Sequence, residues 1–320
     1  EFRRVLFRST DGIEECDGDP CAVSIELQKK GIIIKPFVIG IGVNTDYIKQ
    51  FECIGQYFDA QSEDQFRLAM NVVISQALNT TTCQVNLLDI NHNPTETNVP
   101  MTLYDSQSGK IIYQFVHTLN AKGFPDTLYL DALSRYRIVA HTIPPVFIDS
   151  VKLEPGKHTT VGLDAPQGDL LLKFDGSSDY RNLKSIVRLA GSMNTLHIQE
   201  FNTTERYLVG KYDLEVLCLP RMHINNVSID QSKTTTVQIP NPGIITIFSN
   251  SPGYGSILEE TDKDLQWVIN LDENSTKQTF LLQPGNYRIE FRSRSSHESE
   301  FTVIKSFKVS SGASATVELN

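Results

Sequence analysis

The sequence predicts a multidomain chain, α/β over its first 78 residues and all-β over the remainder of its 320. Three observations predict this. Apolar runs and helix-period stripes alternate from Asp11 to Leu78. Beyond Asn79-Thr80-Thr81-Thr82 the texture becomes short alternating strands split by Gly, Pro, Asn and Asp, the spacing of β-sandwiches. Those strands also repeat. Tyr136-Arg137-Ile138, Tyr212-Asp213-Leu214 and Tyr287-Arg288-Ile289 lie 76 and 75 residues apart, the mark of tandem modules.

Val5-Leu6-Phe7-Arg8-Ser9 back-translates to GTG-CTC-TTC-CGA-TCT, which resembles the end of a short-read sequencing adapter. Residues 1–9 are therefore expected to be non-native and are set aside. Thr10-Asp11-Gly12 leads into an acidic, cysteine-bearing loop, Ile13 to Cys21. A helix is expected from Cys21 to Lys30, with Asp19 as N-cap, Pro20 in the first turn and Gly31 as its stop. Ile32-Ile33-Ile34 and Phe37 to Ile41 are apolar on both faces, as a covered parallel strand should be. Asp46 to Ile54 reads as a short helix and Gln56 to Ala60 as the next strand. Ser62-Glu63-Asp64-Gln65 is a capping box. It opens a helix whose Phe66, Met70, Val73 and Ala77 form a core-facing stripe.

Thr10-Asp11-Gly12 followed by Glu-Cys-x-Gly-Asp-Pro-Cys resembles the fourth-strand loop of bacterial von Willebrand factor type A (vWA) domains. Ile39-Gly40-Ile41-Gly42, Gln50-Phe51-Glu52-Cys53-Ile54-Gly55 and Tyr57-Phe58-Asp59-Ala60 extend the likeness over residues 10–78. The resemblance implies the back half of a doubly wound, Rossmann-like sheet of strand order 3-2-1-4-5-6. It also implies that Asp11 belongs to a metal-ion-dependent adhesion site. The family's Asp-x-Ser-x-Ser and separate Thr loop have no counterpart in this chain. In the complete domain the implied cofactor is Mg²⁺ or another divalent cation, with an acidic group of a protein ligand completing its shell. For this chain, which contributes only Asp11, no bound cation is expected. With the strand 1–3 side missing, residues 10–78 alone are expected to be aggregation-prone or molten, while 80–320 fold alone. Glu14, Glu15 and Asp17 do not follow the Asp-x-Asp-x-Asp-Gly order of a calcium loop and read as a solvated rim.

Within the β part, Leu282-Gln283-Pro284-Gly285-Asn286-Tyr287-Arg288-Ile289 resembles the Leu-x-Pro-Gly-x-Tyr-x-Ile signature of prealbumin-like, carboxypeptidase-regulatory-like β-sandwich modules. Each Tyr strand is followed by a Thr- or Ser-rich strand carrying Val161, Val237 or Val317. The expected division is a partial vWA domain over 10–79 and sandwiches over 80–165, 166–241 and 242–320. Because Val237 and Val317 are 80 apart, the third module needs about four extra residues, expected between Arg292 and Val303. Asp179 to Leu189 is open between helix and strand. The last strand is complete at Asn320, so the C-terminus is expected to be the natural one.

Composition narrows the function. A net charge of −9 and no basic cluster argue against nucleic acid or an anionic membrane as partner. No apolar run reaches the roughly 18 residues of a membrane span. Cys16, Cys21 and Cys53 permit more than one disulfide pairing, and an oxidised, exported loop is preferred over reduced thiols. Cys83 and Cys218 read as buried thiols. No His-Glu-x-x-His, Gly-x-Ser-x-Gly or P-loop is present, so an enzyme is not expected. His117, His141 and His197 sit where strand faces would place them. Tyr254 reads as a turn residue and Trp267 as core. Four Asn-x-Ser/Thr sites, at Asn79, Asn202, Asn226 and Asn274, bear on function only in a eukaryotic secretory setting.

The expected function is non-catalytic adhesion or envelope assembly, extracellular, periplasmic or in the cell envelope. The alternatives are a structural or carbohydrate-binding β array, and an accessory subunit of a metal-handling enzyme complex.

Overall fold

The computed structural model describes residues 20–29, 37–41, 56–77, 81–175 and 182–319. The chain divides into two compact units. One holds the N-terminal elements and most of the first sandwich; the other holds the second and third sandwiches with the segments Leu88–Glu96 and His141–Pro145.

In the first unit, helix α1 (Pro20–Lys29) opens on the proline, whose missing N–H costs nothing there. Strands β1 (Phe37–Gly40) and β2 (Gln56–Asp59) pair in parallel, Phe37 opposite Gln56 and Gly40 opposite Asp59. Helix α2 (Glu63–Ala77) packs against both. The capping box forms as the sequence suggests: Gln65 N–H donates to Ser62 Oγ, and Ser62 N–H to Gln65 Oε1 at 3.1 Å. The buried face differs from the expected stripe. Val73 of the stripe is buried and Met70 half-buried, with Ala69 and Val72 buried beside them, whereas Phe66 in the first turn is exposed. Ile41, expected in the strand, lies past its end and is exposed. Asp11, Glu14, Glu15, Asp17, Asp19, Gly31 and the expected Asp46–Ile54 helix lie outside the described residues. Two helices and two strands are the whole α/β content of the described residues, and the doubly wound sheet is not among the findings.

Seven strands follow in each sandwich, in one topology. The first has β3 (Thr82–Leu88), β4 (Val99–Asp105), β5 (Ile111–His117), β6 (Thr127–Tyr129), β7 (Arg135–Ala140), β8 (Val146–Lys152) and β9 (His158–Asp164). The second has β10 (Gln167–Phe174), β11 (Lys184–Leu189), β12 (His197–Glu200), β13 (Thr204–Leu208), β14 (Gly210–Val216), β15 (Met222–Ile229) and β16 (Thr234–Ile239). The third has β17 (Gly243–Ser249), β18 (Gly253–Glu260), β19 (Leu265–Asn270), β20 (Lys277–Leu282), β21 (Gly285–Ser293), β22 (Val303–Val309) and β23 (Ser314–Leu319). Their three-stranded sheets run β6-β3-β9, β13-β10-β16 and β20-β17-β23. Their four-stranded sheets run β5-β4-β7-β8, β12-β11-β14-β15 and β19-β18-β21-β22.

Period-2 alternation places one face of each strand inside. In the second sandwich Leu170, Leu172 and Ile239 from one sheet meet Val187, Leu214 and Ile229 from the other. In the third, Ile245, Ile247 and Val317 meet Ile257, Ile289 and Phe291. Val161 and Val317 are buried and Val237 packs on its core, so the three valines point inward. The loop before the sixth strand spans 141–145, 217–221 and 294–302, so the extra residues of the third module fall where the valine spacing puts them.

Three assignments change. Lys184–Leu189 is a strand, which settles the ambiguous stretch from 182 onward. Tyr254 lies in β18 rather than in a turn. Gly253 heads that strand because a Cβ there would run into the Arg292 carbonyl of β21. His141 lies one residue past β7 and is exposed, off the strand face assigned to it.

Candidate functional site

The repeated tyrosine is a structural anchor. Tyr136, Tyr212 and Tyr287 are 2 %, 1 % and 0 % exposed, and each hydroxyl turns back to the backbone just upstream. Tyr212 Oη–H donates to the Leu208 carbonyl and Tyr287 Oη–H to the Gln283 carbonyl, both at 2.7 Å. Tyr136 Oη donates to the Asp131 carbonyl and accepts from the Asp131 N–H, each at 2.9 Å. This is the tyrosine-corner arrangement of β-sandwiches. Burial pushes the phenols of Tyr136 and Tyr212 up to about 12, so they stay protonated donors.

In the second unit the corners also receive a neighbouring hairpin. Leu219, between β14 and β15, packs on the core of the third sandwich, and its carbonyl accepts from the Gln283 N–H at 2.7 Å. Ile143 packs in the same way on the core of the second sandwich, and its carbonyl accepts from the Leu208 N–H at 2.8 Å. Each aliphatic residue precedes a cis proline, Pro144 or Pro220. The segment Leu88–Glu96 is seated on the second sandwich too. Glu96 accepts from Gln167 N–H, Gln167 Nε2 and Gln231 Nε2, and Gln231 Oε1 accepts from the Ile90 N–H. Burial raises the Glu96 carboxyl, against the lowering effect of the Gln167 hydrogen bonds. Nothing in the local sequence marks Glu96, because its partners lie 71 and 135 residues away.

The outer face of the third sandwich carries exposed aromatics. Trp267 is 63 % exposed, a correction to its expected core position. A bulge between Ile257 and Leu258 sets Trp267 opposite Leu258 and leaves Val268 as the extra residue. Val268 takes the buried place and the indole faces out. The indole N–H donates to Asn270 Oδ1 at 2.8 Å. One row across the sheet runs Trp267, Leu258, Arg288, Ser306. Arg288 pairs with Glu260 at 2.8 Å, and Ser306 Oγ donates to the same carboxylate. Tyr254, half exposed on this face, has the Arg294 guanidinium 5.6 Å from its ring centre.

Other candidates are structural. His117 is buried, and its Nε2–H donates to the Val85 carbonyl at 3.0 Å. Desolvation lowers its pKa, so the ring is neutral. His197 lies edge-on to Tyr207 with ring centres 6.2 Å apart. Cys83 and Cys218 are free and buried, with burial pushing both thiols up to about 11. Cys21 is disulfide-bonded. A hollow of about 360 Å³ beside Phe291 and Phe301 offers Ser251, Ser293 and Glu300 but no nucleophile–base pair. Among the described residues no group of three or more His, Cys, Asp or Glu side chains is placed to hold a metal ion. Asp11, the expected metal ligand, lies outside those residues.

No protein-family model matches the chain. No curated protein sequence matches it either. Among solved structures it is similar to the TIE protein of Bacillus anthracis (11 % identity, TM-score 0.21), covering 74 % of this chain and 49 % of that one. It thus spans about half the length of that protein. It is also similar to GBS52, the minor pilin of Streptococcus agalactiae (14 % identity, 50 % and 94 % covered, TM-score 0.26). A third is BcpA, the major pilin subunit of Bacillus cereus (10 % identity, 75 % and 97 % covered, TM-score 0.22). With scores this low, the fold assignment rests on the sheet topology alone.

Proposed function

We propose that the chain is part of a non-catalytic adhesion or assembly protein that works outside the cytoplasm. The observation that carries this reading is the array itself. Three sandwiches share one topology, and the buried histidine and the buried thiols that could do chemistry are taken up in packing. The disulfide at Cys21 supports an oxidising compartment and counts against the cytosolic accessory subunit. Among the described residues no helix is long and apolar enough to cross a membrane. Antibody labelling of intact cells that make the protein tests the location. Labelling without permeabilisation is expected; signal only after lysis would overturn the proposal.

At the N-terminal end the reading is metal-dependent recognition of an acidic group on a protein ligand. It rests on the vWA resemblance of Thr10-Asp11-Gly12 with the Glu-Cys-x-Gly-Asp-Pro-Cys run behind it, not on any placed metal ligand. One carboxylate plus waters gives Mg²⁺ little over solution, because the ion sheds its waters reluctantly. This chain should therefore show no shift in melting temperature with millimolar Mg²⁺. A chain completed with Asp-x-Ser-x-Ser and the Thr loop should show one that Asp11→Ala removes. Tight binding by the present chain would mean that Glu14, Glu15 or Asp17 are ligands.

A second reading, carbohydrate binding by the third sandwich, is favoured by Trp267. A planar indole facing solvent, hydrogen-bonded to Asn270 and in one sheet row with Arg288 across Leu258, offers a stacking surface with polar groups on the same face. Oligosaccharide titration followed by tryptophan fluorescence tests it, with Trp267→Ala as the control. No quenching across neutral and acidic glycans would remove this reading.

A further inference from the structure

We propose that β5 is an association edge through which two copies of this chain pair, strand against strand in antiparallel register. The two four-stranded sheets then join as one. The proposal stands independently of the surface role proposed above.

β5 ends the sheet β5-β4-β7-β8, and among the described residues no strand pairs with its outward side. Sheet edges are usually guarded by charge, proline, short length or a kink. The other outer edges of the four-stranded sheets have such devices, β15 a positive φ of 59° at Asn226 where its register against β14 shifts. β12 is four residues long and carries Glu200, paired with Lys184. β8 contains Asp149 and Lys152 and a positive φ of 58° at Ser150. β22 carries Lys305 and Lys308. β19 is bulged at its centre, at Val268, and is preceded by Asp262, Lys263 and Asp264, whereas the β5 bulge falls at the start of its strand.

β5 reads Ile111-Ile112-Tyr113-Gln114-Phe115-Val116-His117, with no charged residue, proline or glycine. Its only irregularity against β4 falls at Ile112, so Tyr113 to His117 is regular. Ile111, Ile112, Tyr113 and Val116 are 48 %, 40 %, 39 % and 54 % exposed. Tyr129 of β6 and Phe124 of the intervening loop continue the apolar surface, and Tyr113 Oη–H donates to the Tyr129 carbonyl.

A second copy fits this edge because the strand complements itself. Antiparallel pairing centred on Gln114 places Gln114 opposite its counterpart and Tyr113 opposite Phe115, and brings Val116 to the bulged Ile112 of the second copy. The carboxamides meet each other, apolar residues meet apolar ones, and no like charges face. Such an isologous contact closes at two copies. Six half-exposed apolar side chains offer on the order of 500 Å² per copy. Two copies thus reach the roughly 1,000 Å² that a specific interface needs, with ladder hydrogen bonds in addition.

Sedimentation equilibrium of the full chain from micromolar to hundreds of micromolar tests the proposal. A monomer–dimer equilibrium is expected, weakened at least tenfold by Val116→Lys. Ile304→Lys, an exposed site on β22, should leave it unchanged. In a second measurement, Gln114→Cys should cross-link to a dimer under mild oxidation, which does not depend on a lysine variant folding. A monomer throughout the range would overturn the proposal. So would a dimer indifferent to Val116→Lys, a ladder of higher species, or a Gln114→Cys variant that stays monomeric.

Discussion

Tyr212 and Tyr287 each hold a buried hydroxyl against an upstream backbone carbonyl at 2.7 Å. Tyr212→Phe and Tyr287→Phe keep the ring but leave that carbonyl without its donor, at a cost of about 1–3 kcal/mol. Urea unfolding curves should shift to lower midpoints without a change in slope. His117 gives a pH signature of defined sign. Its folded pKa is depressed, chiefly by burial, below an ordinary value of 6.5. The unfolded chain therefore takes up a proton before the folded one does. The stability held by the neutral ring is complete above about 6.5 and falls as pH drops below it, levelling off once the folded ring also protonates. Wild type should lose more stability between pH 7.5 and 5.5 than His117→Gln; equal losses would show that the ring does not couple to folding. The place of His117 on a strand face was legible from the sequence. Its hydrogen bond to Val85, 32 residues away, was not.

At the scale of elements, alternation predicts a strand well and its two faces only while the register holds. Trp267 shows where it stops: one bulge reverses the face, and a bulge is made by the partner strand rather than by Leu265–Asn270 itself. Trp267→Ala should thus change stability by no more than about 0.5 kcal/mol, and Val268→Ala should cost about 1.5–3 kcal/mol. Thermal melts of the two variants check the assignment, and the reverse order would return the indole to the core. Phe66 departs from its expected face as well. The helical period of α2 is as expected, but among the described residues its buried positions begin at Ala69 and run through Val72, Val73 and Ser75, one turn beyond Phe66. The capping box, whose partners are three residues apart, was legible in full.

At the scale of the whole molecule, the tyrosine period revealed the repeat because a corner needs the same residue at the same strand position each time. The hairpin contacts were not legible, since Ile143 and Leu219 carry no local motif and find their partners 65 and 64 residues on. Leu219 couples the second and third sandwiches by placing an aliphatic side chain on a foreign core. Leu219→Asp puts a carboxylate there, at about 2–3 kcal/mol, enough to lower the melting of the third sandwich by several degrees. Calorimetry of the full chain should then resolve the two as separate transitions, while Leu217→Asp, at a more exposed position, should not. The pairing of first and last strands has a mechanical consequence. β10 runs parallel to β16 and β17 parallel to β23, each over six residue pairs. Tension that enters at the start of the first strand and leaves at the end of the last slides the two past each other. All the bonds of the ladder then carry load together, whereas antiparallel neighbours pulled from one end would open bond by bond. Force spectroscopy should record abrupt, high-force rupture of these two sandwiches, and gradual yielding at low force would contradict it.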